Sequence, residues 1–117
     1  MHFQQVVLNL VLNGMEAMAG LPEEKRQVVV RTGPANNGTV KIAVADSGPG
    51  IPVDSLPKLF EPFFTTKKDG MGMGLSIART IVEAHHGQIW AENNSGSGAT
   101  FYFTVPVDEG TRDEGRG

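Results

Sequence analysis

The chain has 117 residues, 39% of them hydrophobic, and its ten basic and thirteen acidic side chains leave a net charge of −3. That is the length of one domain with a core of its own, and it lacks the basic block that a nucleic-acid partner held through phosphates would need. The absence of cysteine excludes disulfides and thiolate metal sites, no apolar run nears the roughly 20 residues that cross a bilayer, and no basic leader opens the chain.

Residues 4–18 (QQVVLNLVLNGMEAM) carry the spacing of a helix. At about 100° per residue, Asn9, Asn13 and Glu16 fall within an arc of roughly 60°. Val7, Leu8, Val11, Met15 and Met18 are expected on the opposite, packed side. A turn over 20–24 leads to a β-branched strand at 27–32, a hairpin-type loop at 33–38, and a second strand at 39–45. In that second strand Val40, Ile42 and Val44 share one face. Residues 52–60 read as a short helix limited by Pro52 and Pro57, and 61–71 show no period. From Gly72 helical spacing returns, with Leu75, Ala78, Ile81, Val82 and His85 on one side and Gly87 closing the helix. Two strands, 88–92 and 99–105, flank a turn at 93–98; Phe101, Phe103 and Val105 share a face. Residues 1–106 are therefore expected to form one domain and 107–117 a disordered tail. The layout predicts an α/β two-layer sandwich, a mixed, mostly antiparallel sheet covered on one face by helices.

Three places carry chemistry. A buried amide without a partner costs about 1–3 kcal/mol, so Asn9 and Asn13, in line with Glu16, either satisfy neighbouring backbone or face a metal ion or polyphosphate. Asp46 ends a strand and is followed by Ser-Gly-Pro-Gly-Ile. A carboxylate there is an acceptor only, suited to the exocyclic amine of adenine and repelled by the carbonyl of guanine; the same residues also make a plain turn. Gly70, Gly72 and Gly74, before Leu75, open a helix where backbone N–H groups could approach phosphate oxygens, although glycine triplets also occur in ordinary loops. Lys67 and Lys68 precede them, as solvated lysines or as closure over a triphosphate.

Taken in order, these segments resemble the catalytic, nucleotide-binding domain of sensor histidine kinases, whose Bergerat ATP-binding fold is shared with gyrase, mismatch-repair and chaperone ATPases. The resemblance spans residues 3–106. Asn9 and Asn13 match its asparagine box, DSGPGI at 46–51 the first glycine box, and FEPFF at 60–64 the phenylalanine box. Residues 70–75 match the second glycine box and 96–100 (GSGAT) the last. The NGMEAM and EPFFTTK forms look most like the oxygen- and nitrogen-responsive subgroup.

The resemblance implies ATP and Mg²⁺ as cofactors. Asp46 would bind the adenine amine, with Gly48 and Gly50 beside the base and Thr100 reaching the ring. Asn13 would ligate Mg²⁺ and Asn9 support it; Gly70, Gly72, Gly74 and Leu75 would line the phosphate path, and Lys67 meet the terminal phosphates. Many relatives carry lysine where this chain has Glu16. The family's ATPases place a glutamate one helical turn before the metal-binding asparagine as general base; here that slot holds Asn9, so slow hydrolysis and transfer to an external histidine are expected. His2, His85 and His86 read as structural or surface residues. The implied partners are a dimerisation domain carrying the acceptor histidine and, through it, a response regulator. A cytoplasmic location without direct membrane contact is expected, in a fragment of a larger kinase; any membrane anchor would lie in the rest of that kinase. A non-catalytic nucleotide sensor and an anti-sigma-type serine kinase are the alternatives.

Overall fold

The computed structural model describes residues 3–61 and 74–106. Alternation builds the sheet: β1 (Val28–Ala35) and β2 (Thr39–Asp46) are joined by a 3-10 turn at Asn36–Gly38, and β3 (Ile89–Asn93) turns back into β4 (Ala99–Pro106). The strand order is β1-β2-β4-β3, and every described pair is antiparallel. The first strand runs further than expected, through Gly33 and Pro34, which pair with Lys41 and Val40. A proline is tolerated there because β1 is an edge strand, where a missing N–H need not break a ladder.

Helix α1 (Phe3–Ala17) packs over β2 and β1, α2 (Gly74–Ala84) over β4 and β3, and the two helices pack on each other. This is the expected two-layer sandwich with helices on one face. The core between the layers is Val6 and Leu10 of α1, Ala78 and Val82 of α2, Val44, Phe101 and Phe103 of the sheet, and Leu59. Phe3 stacks on Phe103 at 6.1 Å and meets the edge of His85 at 4.9 Å. On the opposite sheet face Trp90 stacks on Tyr102 at 5.3 Å, with Lys41 Nζ 5.2 Å from the Tyr102 ring centre.

One expectation about α1 needs correction. On α1 the buried line is Val6, Leu10 and Gly14, continued by Met18; Leu8 and Met15, assigned to the packed side, are 51% and 53% exposed. The polar stripe therefore flanks the buried line instead of standing opposite it. At the end of α2 it is His86, not Gly87, that takes the left-handed conformation, with φ 66°. His86 N–H donates to Glu83 O at 3.0 Å and Gly87 N–H to Val82 O at 2.9 Å, the paired bonds of a Schellman cap. Gly87 is needed for space, because a Cβ there would overlap the Thr104 carbonyl oxygen of β4.

Candidate functional site

Asp46 follows Val44 by two positions on β2, so it shares the inner, helix-facing side of the sheet. It is only 7% exposed. Its Oδ1 accepts from Gly48 N–H at 2.9 Å and from Ala99 N–H at 3.3 Å. Two backbone donors hold the carboxylate in one orientation, and among the described residues neither bond uses Oδ2. The second oxygen is turned toward α1: a Cβ built on Gly14 would stand 3.6 Å from it and 3.3 Å from Asp46 Cβ. Glycine inside a helix costs about 1 kcal/mol relative to alanine. Here it lets α1 come down onto the carboxylate, immediately beside Asn13.

The backbone around Asp46 is equally constrained. Gly50 and Gly98 have φ of 90° and 88°, a region that side chains rarely enter. A Cβ on Gly98 would overlap the Asp46 carbonyl oxygen, and one on Gly48 would lie 3.2 Å from Asp46 Oδ1 and 3.3 Å from Ala17 O. Ser47 is tied in from the other side: its hydroxyl donates to Lys25 O at 2.7 Å and accepts from Gln27 N–H at 3.0 Å.

The end of β3 and the turn after it supply two residues to which the sequence reading gave no role in the site. Asn93 accepts from Ile51 N–H at 2.7 Å and donates to Ile51 O at 2.9 Å. Asn94 donates through Nδ2 to Asp46 O at 3.3 Å and Ser97 O at 3.2 Å, and its Oδ1 accepts from the Thr100 hydroxyl at 2.6 Å. That last contact corrects the expectation for Thr100. Thr100 pairs with Ala45 and Glu92, on the opposite face of the sheet from Asp46, Ala99 and Phe101. It braces the turn, and the residue of β4 that touches Asp46 is Ala99, through its N–H.

The asparagine end of the site is more exposed. Asn9 Nδ2 donates to Gly74 O at 3.2 Å, and its Oδ1 accepts from Gln5 Nε2 at 3.0 Å. The first bond joins α1 to the opening residue of α2. Asn9 and Asn13 are half-buried and Glu16 is exposed. Among the described residues nothing stands within 4 Å of where a side chain on Gly74 would begin, and Leu75 packs against the core. Lys67, Gly70 and Gly72 lie outside the described residues, as does the phenylalanine box beyond Glu61.

The arrangement thus offers a fixed, acceptor-only carboxylate oxygen beside glycine backbone, with half-buried amides of α1 alongside and the N-terminus of α2 across from them. The model of the family described as histidine kinase-, DNA gyrase B-, and HSP90-like ATPase matches residues 1–109. The chain belongs to that family. Among curated proteins it is 50% identical over 104 residues to the sensor protein FixL of Bradyrhizobium diazoefficiens, covering 89% of this chain and 20% of FixL. It is 48% identical over 105 residues to the sensor histidine kinase TmoS of Ectopseudomonas mendocina, covering 89% of this chain and 11% of TmoS. The chain therefore spans a fifth or less of these relatives. Among solved structures, the nucleotide-free catalytic domain of histidine kinase ThkA superposes with TM-score 0.76 at 40% identity, covering 90% of this chain and 66% of that one. Full-length ShkA in complex with AMPPNP gives TM-score 0.76 at 30% identity, covering 90% and 21%. ThkA in complex with the response regulator protein TrrA gives TM-score 0.72 at 37% identity, covering 91% and 28%. The family's relatives of this chain are sensor histidine kinases, as the five sequence boxes imply.

Proposed function

We propose that this chain is the ATP-binding catalytic domain of a sensor histidine kinase and donates the γ-phosphoryl group of ATP to a histidine on a separate dimerisation domain. The observation that carries the reading is Asp46, with one oxygen occupied by two backbone N–H groups and the other turned toward α1 beside Asn13. An acceptor-only group suits an amine donor such as that of adenine and repels a carbonyl at the same ring position. The amides of Asn9 and Asn13 would then stand on the phosphate side, with Lys67 as the neutralising cation.

Among the described residues no three acidic or imidazole groups gather into a metal cage. An amide oxygen fits a hard divalent cation whose remaining shell comes from phosphates and water, so Asn13 is the residue that would hold Mg²⁺. When bound, Mg²⁺ supplies neutralisation of phosphate charge. Asn9, in the slot where hydrolytic members carry glutamate, has no useful basicity at neutral pH, so activation of water is not available from this position. Transfer asks mainly for positioning: an imidazole nitrogen of the acceptor bonds the γ-phosphorus as the bond to the β–γ bridging oxygen breaks, and ADP leaves with that electron pair. A response regulator would receive the group next, a reading supported by the ThkA–TrrA complex. No described helix is long and apolar enough to cross a membrane, and the cytoplasmic location of ATP and response regulators favours placing the domain there.

The test is incubation of the purified chain with γ-labelled ATP and the dimerisation domain of its parent protein. Acid-labile label on histidine is expected. Label on serine, or no label despite tight ATP binding, would overturn the assignment.

A further inference from the structure

Asn93 stands outside every sequence box, yet its amide makes two hydrogen bonds to one residue of the first glycine box. It accepts from Ile51 N–H at 2.7 Å and donates to Ile51 O at 2.9 Å. This is the bonding pattern that a neighbouring strand would offer, supplied by a side chain where no strand continues. The amide's orientation follows from chemistry: a carbonyl oxygen can only accept, so Nδ2 must face Ile51 O and Oδ1 must face Ile51 N–H. Asn93 shares the inner face of the sheet with Ala99, its partner across the β3–β4 ladder, and Ala99 N–H is one of the two donors holding Asp46. Its Oδ1 lies 3.0 Å from the position of a Cβ on Gly50, which is held at φ 90°. The segment 47–51 is therefore fixed at one end by the Asp46 carboxylate through Gly48 N–H and at the other by Asn93 through Ile51. Ile51 packs partly against the core, but apolar packing has no direction. The paired hydrogen bonds supply it.

We infer that Asn93 is a positioning residue for the nucleotide base: by gripping both backbone groups of Ile51 it sets where Gly48 to Gly50 stand relative to the Asp46 carboxylate. The inference rests on the ATP-site reading above. It acts on the base side only, so an Asn93 defect should be independent of phosphates and of magnesium.

The test is calorimetric titration of the 117-residue chain with adenosine, and with ATP in the presence of Mg²⁺. Wild type, Asn93→Leu, Asn93→Asp and Asp46→Asn are compared. The leucine removes both bonds while keeping the branching and heavy-atom count; the aspartate keeps acceptance from Ile51 N–H and turns an anionic oxygen against Ile51 O. Asn93→Leu is expected to weaken adenosine and Mg-ATP by the same factor, about tenfold for two lost bonds, at a temperature where circular dichroism shows the variant fully folded. Asn93→Asp should lose at least as much, and it decides the matter alone if the leucine variant does not fold. Wild-type affinities in the folded variants, or a loss confined to Mg-ATP, would overturn the inference. Failure of the underlying site reading has a different signature: Asp46→Asn would then bind ATP as the wild type does.

Discussion

The two ends of the site are built differently. Around Asp46 the backbone is cross-braced: two backbone donors on one oxygen, glycines pressed against its carbonyl and carboxylate, and side-chain amides from the end of β3 and the turn after it holding the strand end and the following loop. Around Asn9 and Asn13 the side chains are half-buried, and Asn9 links α1 to the first residue of α2 through an amide-to-carbonyl contact at 3.2 Å. The contrast fits the chemistry proposed for each end. A base is recognised by fixed donors and acceptors, and misplacement there loses selectivity. A polyphosphate is bound through diffuse charge, water and a metal, and must be released after transfer, which a tightly braced frame would hinder.

The largest way to break this comparison is at the rigid end. Gly98→Ala places a Cβ on the Asp46 carbonyl at a φ of 88°, and should cost about 3 kcal/mol or more in urea denaturation while abolishing ATP binding. Unchanged stability would mean the turn is not braced as described. Asp46→Asn should come next: the amide can still accept from the backbone through one atom but presents a donor to the amine. A loss of ATP affinity on the order of a hundredfold is expected by calorimetry, from one charged hydrogen bond replaced by a donor–donor clash. Asn13→Ala probes the more exposed end, with about a tenfold loss expected, confined to titrations containing Mg²⁺; an equal loss in chelator would remove Asn13 from the metal. The smallest effect lies away from both ends. His86→Gly relieves the left-handed residue closing α2 and should stabilise the fold by about 1 kcal/mol in thermal unfolding, leaving ATP affinity unchanged.

Most of the architecture was legible because periodicity was strong. Val40, Ile42 and Val44 announced β2, Phe101 and Phe103 announced β4, and the amide stripe located α1. The exposed Leu8 and Met15 show the limit of that method, since an apolar face of a helix says that burial is favourable and not which face the sheet will take. The glycines divide along the same line. Gly50 and Gly98 sit in turns, where positive φ is a local demand; Gly14 and Gly87 are needed because another element passes close by, which no single segment reveals. The bonds of Asn93 to Ile51 and of Asn94 to Asp46 were not legible, since those partners lie more than 40 positions away. Thr100 is a different kind of miss. Asp46 shares a face with Val44, and Phe101 with Phe103, so the parity that turns Thr100 away from the carboxylate is already present in the alternation, against the place that the family resemblance implies for it.

On the proposed reading, the Asp46 carboxylate chooses the base. Calorimetric titration of the wild-type chain with ATP and with GTP under identical Mg²⁺ decides this. ATP should bind and GTP should bind at least about a hundredfold more weakly, as two acceptors cannot share the site that one donor and one acceptor fill. Equal affinity for the two nucleotides would contradict the account.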